Sequence, residues 1–92
     1  MIKSFRCKDT AALFAGQDVA RWVNLRGVAE RKLQMVNRAV RLEDLRVPPN
    51  NQLEALKRDR KGQCSIRLNE QWRVCFRFED GNAFDVEIVD YR

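Results

Sequence analysis

The sequence predicts an α+β fold in which N-terminal helices pack on one face of a mainly antiparallel β-sheet. Three observations carry that expectation. Leu25, Ala29, Leu33, Val36 and Val40 recur at steps of four, four, three and four, the apolar stripe of an amphipathic helix. Residues 63–78, QCSIRLNEQWRVCFRF, alternate apolar and polar positions twice over, as two half-buried strands do. Asp80-Gly81, a hairpin turn signal, then leads into a third alternating run, AFDVEIVDY.

Taken in order, Met1 to Cys7 alternates well enough for a short strand. Asp9 or Thr10 is placed to cap a short helix through Ala15, with Gly16 as its stop, and Asp18 to cap a second short turn. The main helix runs from Asn24 to Val40. Arg31, Gln34, Arg38 and Arg41 lie opposite its apolar stripe, either as a solvated face or as a contact surface for an acidic partner or nucleic acid. LEDLRV allows one more helical turn, and Pro48-Pro49 ends all helix, because neither residue donates a backbone hydrogen bond.

The C-terminal half reads as strands. QLEALK (52–57) is the first, and DRKG (59–62) is a loop. Two strands follow around Asn69-Glu70, and the last sets Phe84, Val86 and Ile88 against Asp85, Glu87, Val89 and Tyr91. An antiparallel sheet buries one face and leaves the other wet. The helices are expected to cover Ile66, Leu68, Val74, Phe76, Val86 and Ile88. Ser65, Arg67, Arg73, Cys75, Arg77, Glu87 and Tyr91 then line a concave, exposed, positively charged surface, suited to a polyanion lying across the sheet. An arginine exposed in this way should be removable at a cost within about ±0.5 kcal/mol.

Composition bounds the function. With 92 residues, a single domain spanning 1–92 is expected, with a modest core. No apolar run approaches the ~18 residues that span a bilayer. MIKSFRC lacks the apolar segment of a secretory signal, so a cytoplasmic protein without membrane contact is expected. Three cysteines without a CxxC pair fit reduced thiols better than a disulfide frame or a zinc site. Histidine is absent, which removes the commonest metal ligand and the commonest general base. The net charge of +5 rests on 18 basic residues, most of them arginine, and points to nucleic acid or an acidic partner.

Ser-His-Asp sets, histidine metal motifs and GxxxxGK[ST] phosphate loops are all missing. Lys57, the arginines and the terminal Asp90-Tyr91-Arg92 remain. They suit phosphodiester cleavage without metal or cofactor. Cations stabilise the charge that builds on phosphorus, and an aromatic ring stacks a splayed base. In RNA the 2′-hydroxyl is a built-in nucleophile, so the protein need only orient the sugar and move protons.

The segments LEALKRDRKGQCSIRLN, QWRVCFRF and VEIVDYR, in that order, closely resemble the C-terminal half of the HigB-type killer toxins of the RelE/ParE toxin superfamily. MIKSF, ALFAG and VAERKLQMVNRAV also look like this family, so the resemblance covers essentially the whole chain. It implies a RelE-like fold with a curved sheet. It implies a ribosome-dependent endonuclease that cuts mRNA in the decoding A site. It also implies a helix-turn-helix antitoxin of the HigA type, and operator DNA reached indirectly through the toxin–antitoxin complex.

Residue by residue, the resemblance implies that Lys57 is the catalytic lysine and that Arg73, in QWRV, contacts the scissile phosphate. Asp90 and Tyr91 match the terminal acidic-aromatic pair. Arg92 stands where many relatives have a histidine implicated in catalysis, which leaves the general base open. Arg60, Arg67 and Arg77 are expected to bind RNA. Plainer roles exist for each group. Lys57 can be a surface lysine, Arg73 a structural partner of Glu87 or Asp85, and Tyr91 a core-edge tyrosine. Trp72 reads as core and Cys75 as an inert thiol, although arginines beside a thiol lower its pKa. Two other functions compete with the nuclease: a ParE-like inhibitor of DNA gyrase, and a basic nucleic-acid-binding module.

Overall fold

The computed structural model describes residues 1–90. Two α-helices, α1 (Lys8–Phe14) and α2 (Arg26–Arg38), precede four strands, β1 (Glu54–Ala55), β2 (Cys64–Arg67), β3 (Trp72–Glu79) and β4 (Asn82–Asp90). The strands pair in the order β1-β2-β3-β4, each antiparallel to its neighbour. No helix of the described residues is long and apolar enough to cross a membrane. The α+β class and the helices packed on one sheet face are as expected.

The expected core is present. Leu25, Ala29, Leu33 and Val36 of the helical stripe are buried against Ile66, Leu68, Val74, Phe76, Val86 and Ile88. Trp22 meets Trp72 edge to face, ring centroids 6.0 Å apart, which places Trp72 at the core. Val40, expected to end the stripe, is 71% exposed. The helix stops before it, where Ala39 turns to ψ 130 and the Asp44 carboxylate accepts the N–H groups of Val40 (2.9 Å) and Arg41 (3.0 Å).

Local chemistry shifts several other expected boundaries. Cys7 occupies the N-cap of α1 without a side-chain bond, while Thr10 lies inside the helix. Its hydroxyl, fully buried, accepts the Ile88 N–H at 3.0 Å and so ties α1 to β4. Met1 to Cys7 is an edge stretch: Ile2 and Phe5 form two isolated parallel bridges, to Ala83 and Val86. QLEALK contributes only Glu54 and Ala55 to the sheet. α-Helix has already ended at Arg38, LEDLRV forms a 3-10 turn (Leu42–Arg46), and Pro48-Pro49 does not end all helix, because Pro49 opens a further 3-10 turn (Pro49–Asn51), a position where its missing N–H costs nothing. Another 3-10 turn spans Arg58–Arg60.

The β3–β4 hairpin turns on Asp80 (φ 50) and Gly81 (φ 78), two consecutive left-handed residues as a type I′ turn requires. Its register then changes. Glu79, Phe78 and Arg77 face Asn82, Ala83 and Phe84, whereas Cys75, Val74 and Arg73 face Glu87, Ile88 and Val89. One extra residue of β4 is absorbed around Asp85, whose φ is 55 and whose N–H donates to the Ser4 hydroxyl at 2.9 Å. This bulge corrects the expected parity of the last strand. Phe84 lies on the Arg77 side, and Ala83 takes the core position before the bulge.

Candidate functional site

The sheet face turned away from the helices is less open than its polar residues suggest. Ser65 and Cys75 are fully buried and Arg73 is 7% exposed. Residues 49–63 supply the cover, because Gln52, Glu54 and Arg60 of that segment reach groups on this face. The expected exposed, concave surface is therefore corrected at its centre. A guanidinium tolerates burial only where acceptors satisfy it, and here they do.

Arg73 is held by its neighbours in register. Ser65 and Cys75 are direct partners, so Arg73 lies two residues along β3, diagonal to Ser65. Its Nε donates to Ser65 Oγ at 2.8 Å, and its Nη2 to the Gln52 carbonyl at 2.5 Å and the Ser65 carbonyl at 3.4 Å. The Glu54 carboxylate, half exposed, stands 3.8 Å from Nη2. The acids considered as structural partners of Arg73 are used elsewhere: Glu87 binds Arg60 Nη1 at 2.8 Å, and Asp85 lies 3.7 Å from Arg77.

Arg60 also donates to Gln63 Oε1 at 3.1 Å. Glu87, Cys75 and Ser65 are successive partners across the sheet, so Arg60 lies over the row next to Arg73. The 3-10 turn that follows Lys57 is pinned to the face in this way, with Lys57 itself exposed and its carbonyl accepting Arg60 N–H at 3.2 Å. Arg60 of the run Lys57 to Lys61 thus lies over the row beside the buried guanidinium. Cys75, between Arg60, Arg73 and Glu87, has a thiol pushed up to about 11, mainly by burial, with the two arginines opposing the shift. An inert thiol is the outcome.

The remaining expected residues divide. Arg67 is the direct partner of Arg73 across β2–β3 and is half-buried. Arg77 lies nearer the hairpin turn, stacked over Phe84 at 4.7 Å and paired with Glu79 at 2.8 Å, which holds its pKa above the usual arginine value. Asp90 pairs in register with Trp72 and so projects to the opposite side of the sheet from Arg73, which pairs with Val89. It accepts a hydrogen bond from Gln71 Nε2 at 3.0 Å. Tyr91 and Arg92 lie outside the described residues.

Sequence reasoning missed the groups that hold the site. Ser65 stood on the right parity but as an open-face residue, and the diagonal to Arg73 emerges only with the strand register. The Gln52 carbonyl has no residue-type signal at all. Among the described residues, no three Cys, Asp or Glu side chains come together as a metal-binding group would require.

Comparisons with known proteins agree with this architecture. A family model described as the RelE-like toxin of type II toxin–antitoxin system HigB matches residues 3–92. "Toxin HigB-1" of Vibrio cholerae serotype O1 is 46% identical over 62 residues, 67% of this chain and 65% of that protein. "Endoribonuclease HigB" of Proteus vulgaris is 35% identical over an alignment of 102 positions covering 99% of each chain. The chain spans slightly less than two thirds of the Vibrio protein and 59% of a 40% identical uncharacterized protein of Haemophilus influenzae. The crystal structure of YafQ from E. coli superposes with a TM-score of 0.62 over 98% of this chain and 91% of that one, at 13% identity, a likeness of fold alone.

Proposed function

This chain belongs to the HigB-like family of RelE-like toxins of type II toxin–antitoxin systems, and we propose that it is a ribosome-dependent endonuclease that cuts mRNA in the ribosomal A site. The family resemblance in LEALKRDRKGQCSIRLN, QWRVCFRF and VEIVDYR is borne out by the family match. The name of the Proteus relative supports RNA cleavage. The observation that carries the reading is the arginine fixed by buried hydrogen bonds among the sheet's basic residues. Arg73 has Nε and Nη2 engaged by Ser65 and Gln52 before any substrate arrives. Charge stabilisation in a transition state needs that kind of preorganisation.

In this mechanism the RNA 2′-oxygen attacks the adjacent phosphorus and loses its proton to a base. The bond to the 5′-oxygen breaks, and the leaving oxygen takes up a proton. The products are a 2′,3′-cyclic phosphate, opening to a 3′-phosphate, and a 5′-hydroxyl. Arg73 stabilises the charge on the non-bridging oxygens, and Lys57 handles the proton of the 2′-hydroxyl. Arg60, Arg67 and Arg77 hold the RNA backbone. Tyr91 and Arg92 act at the chain end, with Tyr91 stacking a base and Arg92 steadying the leaving oxygen, whereas Asp90, on the opposite side of the sheet from Arg73, takes no part in the chemistry. No metal or cofactor takes part. A HigA-type helix-turn-helix antitoxin neutralises the toxin and carries it to operator DNA.

The test adds purified protein to ribosomes programmed with a defined mRNA and maps the 5′ ends. A cut within the A-site codon supports the proposal. Gyrase inhibition without a cut, or binding of naked RNA without a cut, favours one of the other two functions.

A further inference from the structure

Asn51 is fully buried. Its Oδ1 accepts from Lys32 Nζ of α2, and its Nδ2 donates to the carbonyls of Leu45 (3.1 Å) and Val47 (3.4 Å). Lys32 is 8% exposed, an uncommon place for a lysine, and burial pushes its pKa down, with Arg31 adding to the shift. The nuclease reading makes no use of it. The residue after Asn51 does matter to that reading. Gln52 adopts left-handed backbone (φ 47, ψ 56), a conformation that a non-glycine residue holds only when its surroundings enforce it. Its N–H donates to Pro49 at 3.1 Å, and its carbonyl is the one that accepts Arg73 Nη2.

A continuous path of hydrogen bonds and one peptide link therefore runs from the helical layer to the opposite face of the sheet: Lys32, Asn51, Gln52, Arg73. Each buried polar group on it is expensive to leave unpaired. We propose that Asn51, held by Lys32, is a positioning residue for Arg73, fixing the Gln52 carbonyl and through it the guanidinium. Its catalytic consequence rests on the reading of Arg73 as the phosphate-binding group. Neither Asn51 nor Lys32 touches RNA. A small displacement of a group that must meet a transition state is enough to slow the reaction.

The test compares wild type with Lys32→Met, which keeps most of the side-chain volume and removes the donor to Asn51, and with Asn51→Asp, which keeps the acceptor for Lys32 and removes the donor to Leu45 and Val47. Folding is checked by near-ultraviolet circular dichroism. The first readout is the Arg73 Nε–H resonance in 15N spectra and its exchange with water. The second is single-turnover cleavage on programmed ribosomes, with ribosome binding measured separately. The expected result is a shifted Arg73 resonance with exchange about 10-fold faster, an Arg77 resonance unmoved, and cleavage slowed about 10-fold with binding unchanged. A wild-type Arg73 resonance and exchange rate in either folded variant overturns the proposal. So does loss of fold in both, which would make the pair a core element. A displaced resonance with cleavage at the wild-type rate sinks the phosphate reading and takes the catalytic half of this proposal with it.

Discussion

Arg73 and Ser65, diagonal neighbours on adjacent antiparallel strands, are both buried, and the guanidinium Nε donates to the serine hydroxyl at 2.8 Å. The group proposed to meet the phosphate is thus part of the fold's own hydrogen bonding. Structure and the proposed catalysis meet at this one side chain, so its removal should have two costs.

Arg73→Ala should destabilise the protein by roughly 2–3 kcal/mol, because it leaves the Ser65 hydroxyl and the Gln52 carbonyl without their donor. That replaces the near-zero cost expected of an exposed arginine. It is a large share of the ~5–10 kcal/mol available to a domain of this size. Urea unfolding measures it, and an unchanged midpoint and slope would contradict the burial. Cleavage by the folded fraction should fall by about 100-fold or more.

The Arg60–Glu87 pair pins the turn after Lys57 to the sheet, with side chains 31% and 14% exposed. Partial exposure discounts its strength, so Glu87→Gln should cost only about 1 kcal/mol. Its effect on cleavage should be larger, about 10-fold, because the Lys57–Lys61 run loses its anchor. A double-mutant cycle of Arg60→Ala with Glu87→Gln checks this. Additive losses would show that the two residues act apart.

Asp44 makes a small contribution of defined sign to stability in acid. Hydrogen bonds from the N–H groups of Arg41 and Val40 hold its carboxyl below the usual range. Its contribution is complete above the unfolded value of about 3.9 and disappears as pH falls through the lower folded value. The urea-midpoint advantage of wild type over Asp44→Ala should therefore be constant between about pH 5 and 7 and shrink well below ~3.9. An advantage undiminished at about pH 2.5 would count against an ionised Asp44 cap.

Cys75 should resist alkylation in the native protein at about pH 8, where a free thiol of pKa ≈ 8.5 reacts readily. Its pKa of about 11 and its full burial both oppose attack. Cys7, only partly buried at the N-cap of α1, should label before it. Peptide mass spectrometry after brief iodoacetamide treatment separates the two, and early labelling of Cys75 would mean that the cover of residues 49–63 opens.

Much of this fold was legible from periodicity. The stripe from Leu25 to Val36 and the parity of Ile66, Leu68, Val74 and Phe76 identify the two buried surfaces without any tertiary information. Legibility ended where periodicity did. The bulge at Asp85 depends on a positive φ and on a hydroxyl from Ser4 at the far end of the sequence, so alternation alone misplaced Phe84. The cover over Arg73 consists of two short 3-10 turns and a two-residue strand, held by Asn51 and Arg60. Such pieces carry no repeat to read, and the basic face looked open as a result. Arg73 is expected to contact phosphate from the family resemblance alone, and its burial emerges only from the structure.

The most direct test of the central claim is cleavage of a programmed mRNA carrying a single 2′-deoxynucleotide at the cut position. On ribosomes with the normal transcript, the protein should cut within the A-site codon and leave a 5′-hydroxyl. The deoxy substitution should abolish that cut while ribosome binding persists, and naked transcript at physiological salt should be cut little or not at all. Cleavage of the deoxy transcript at the normal rate would rule out attack by the 2′-oxygen, and efficient site-specific cutting of naked mRNA would contradict dependence on the ribosome.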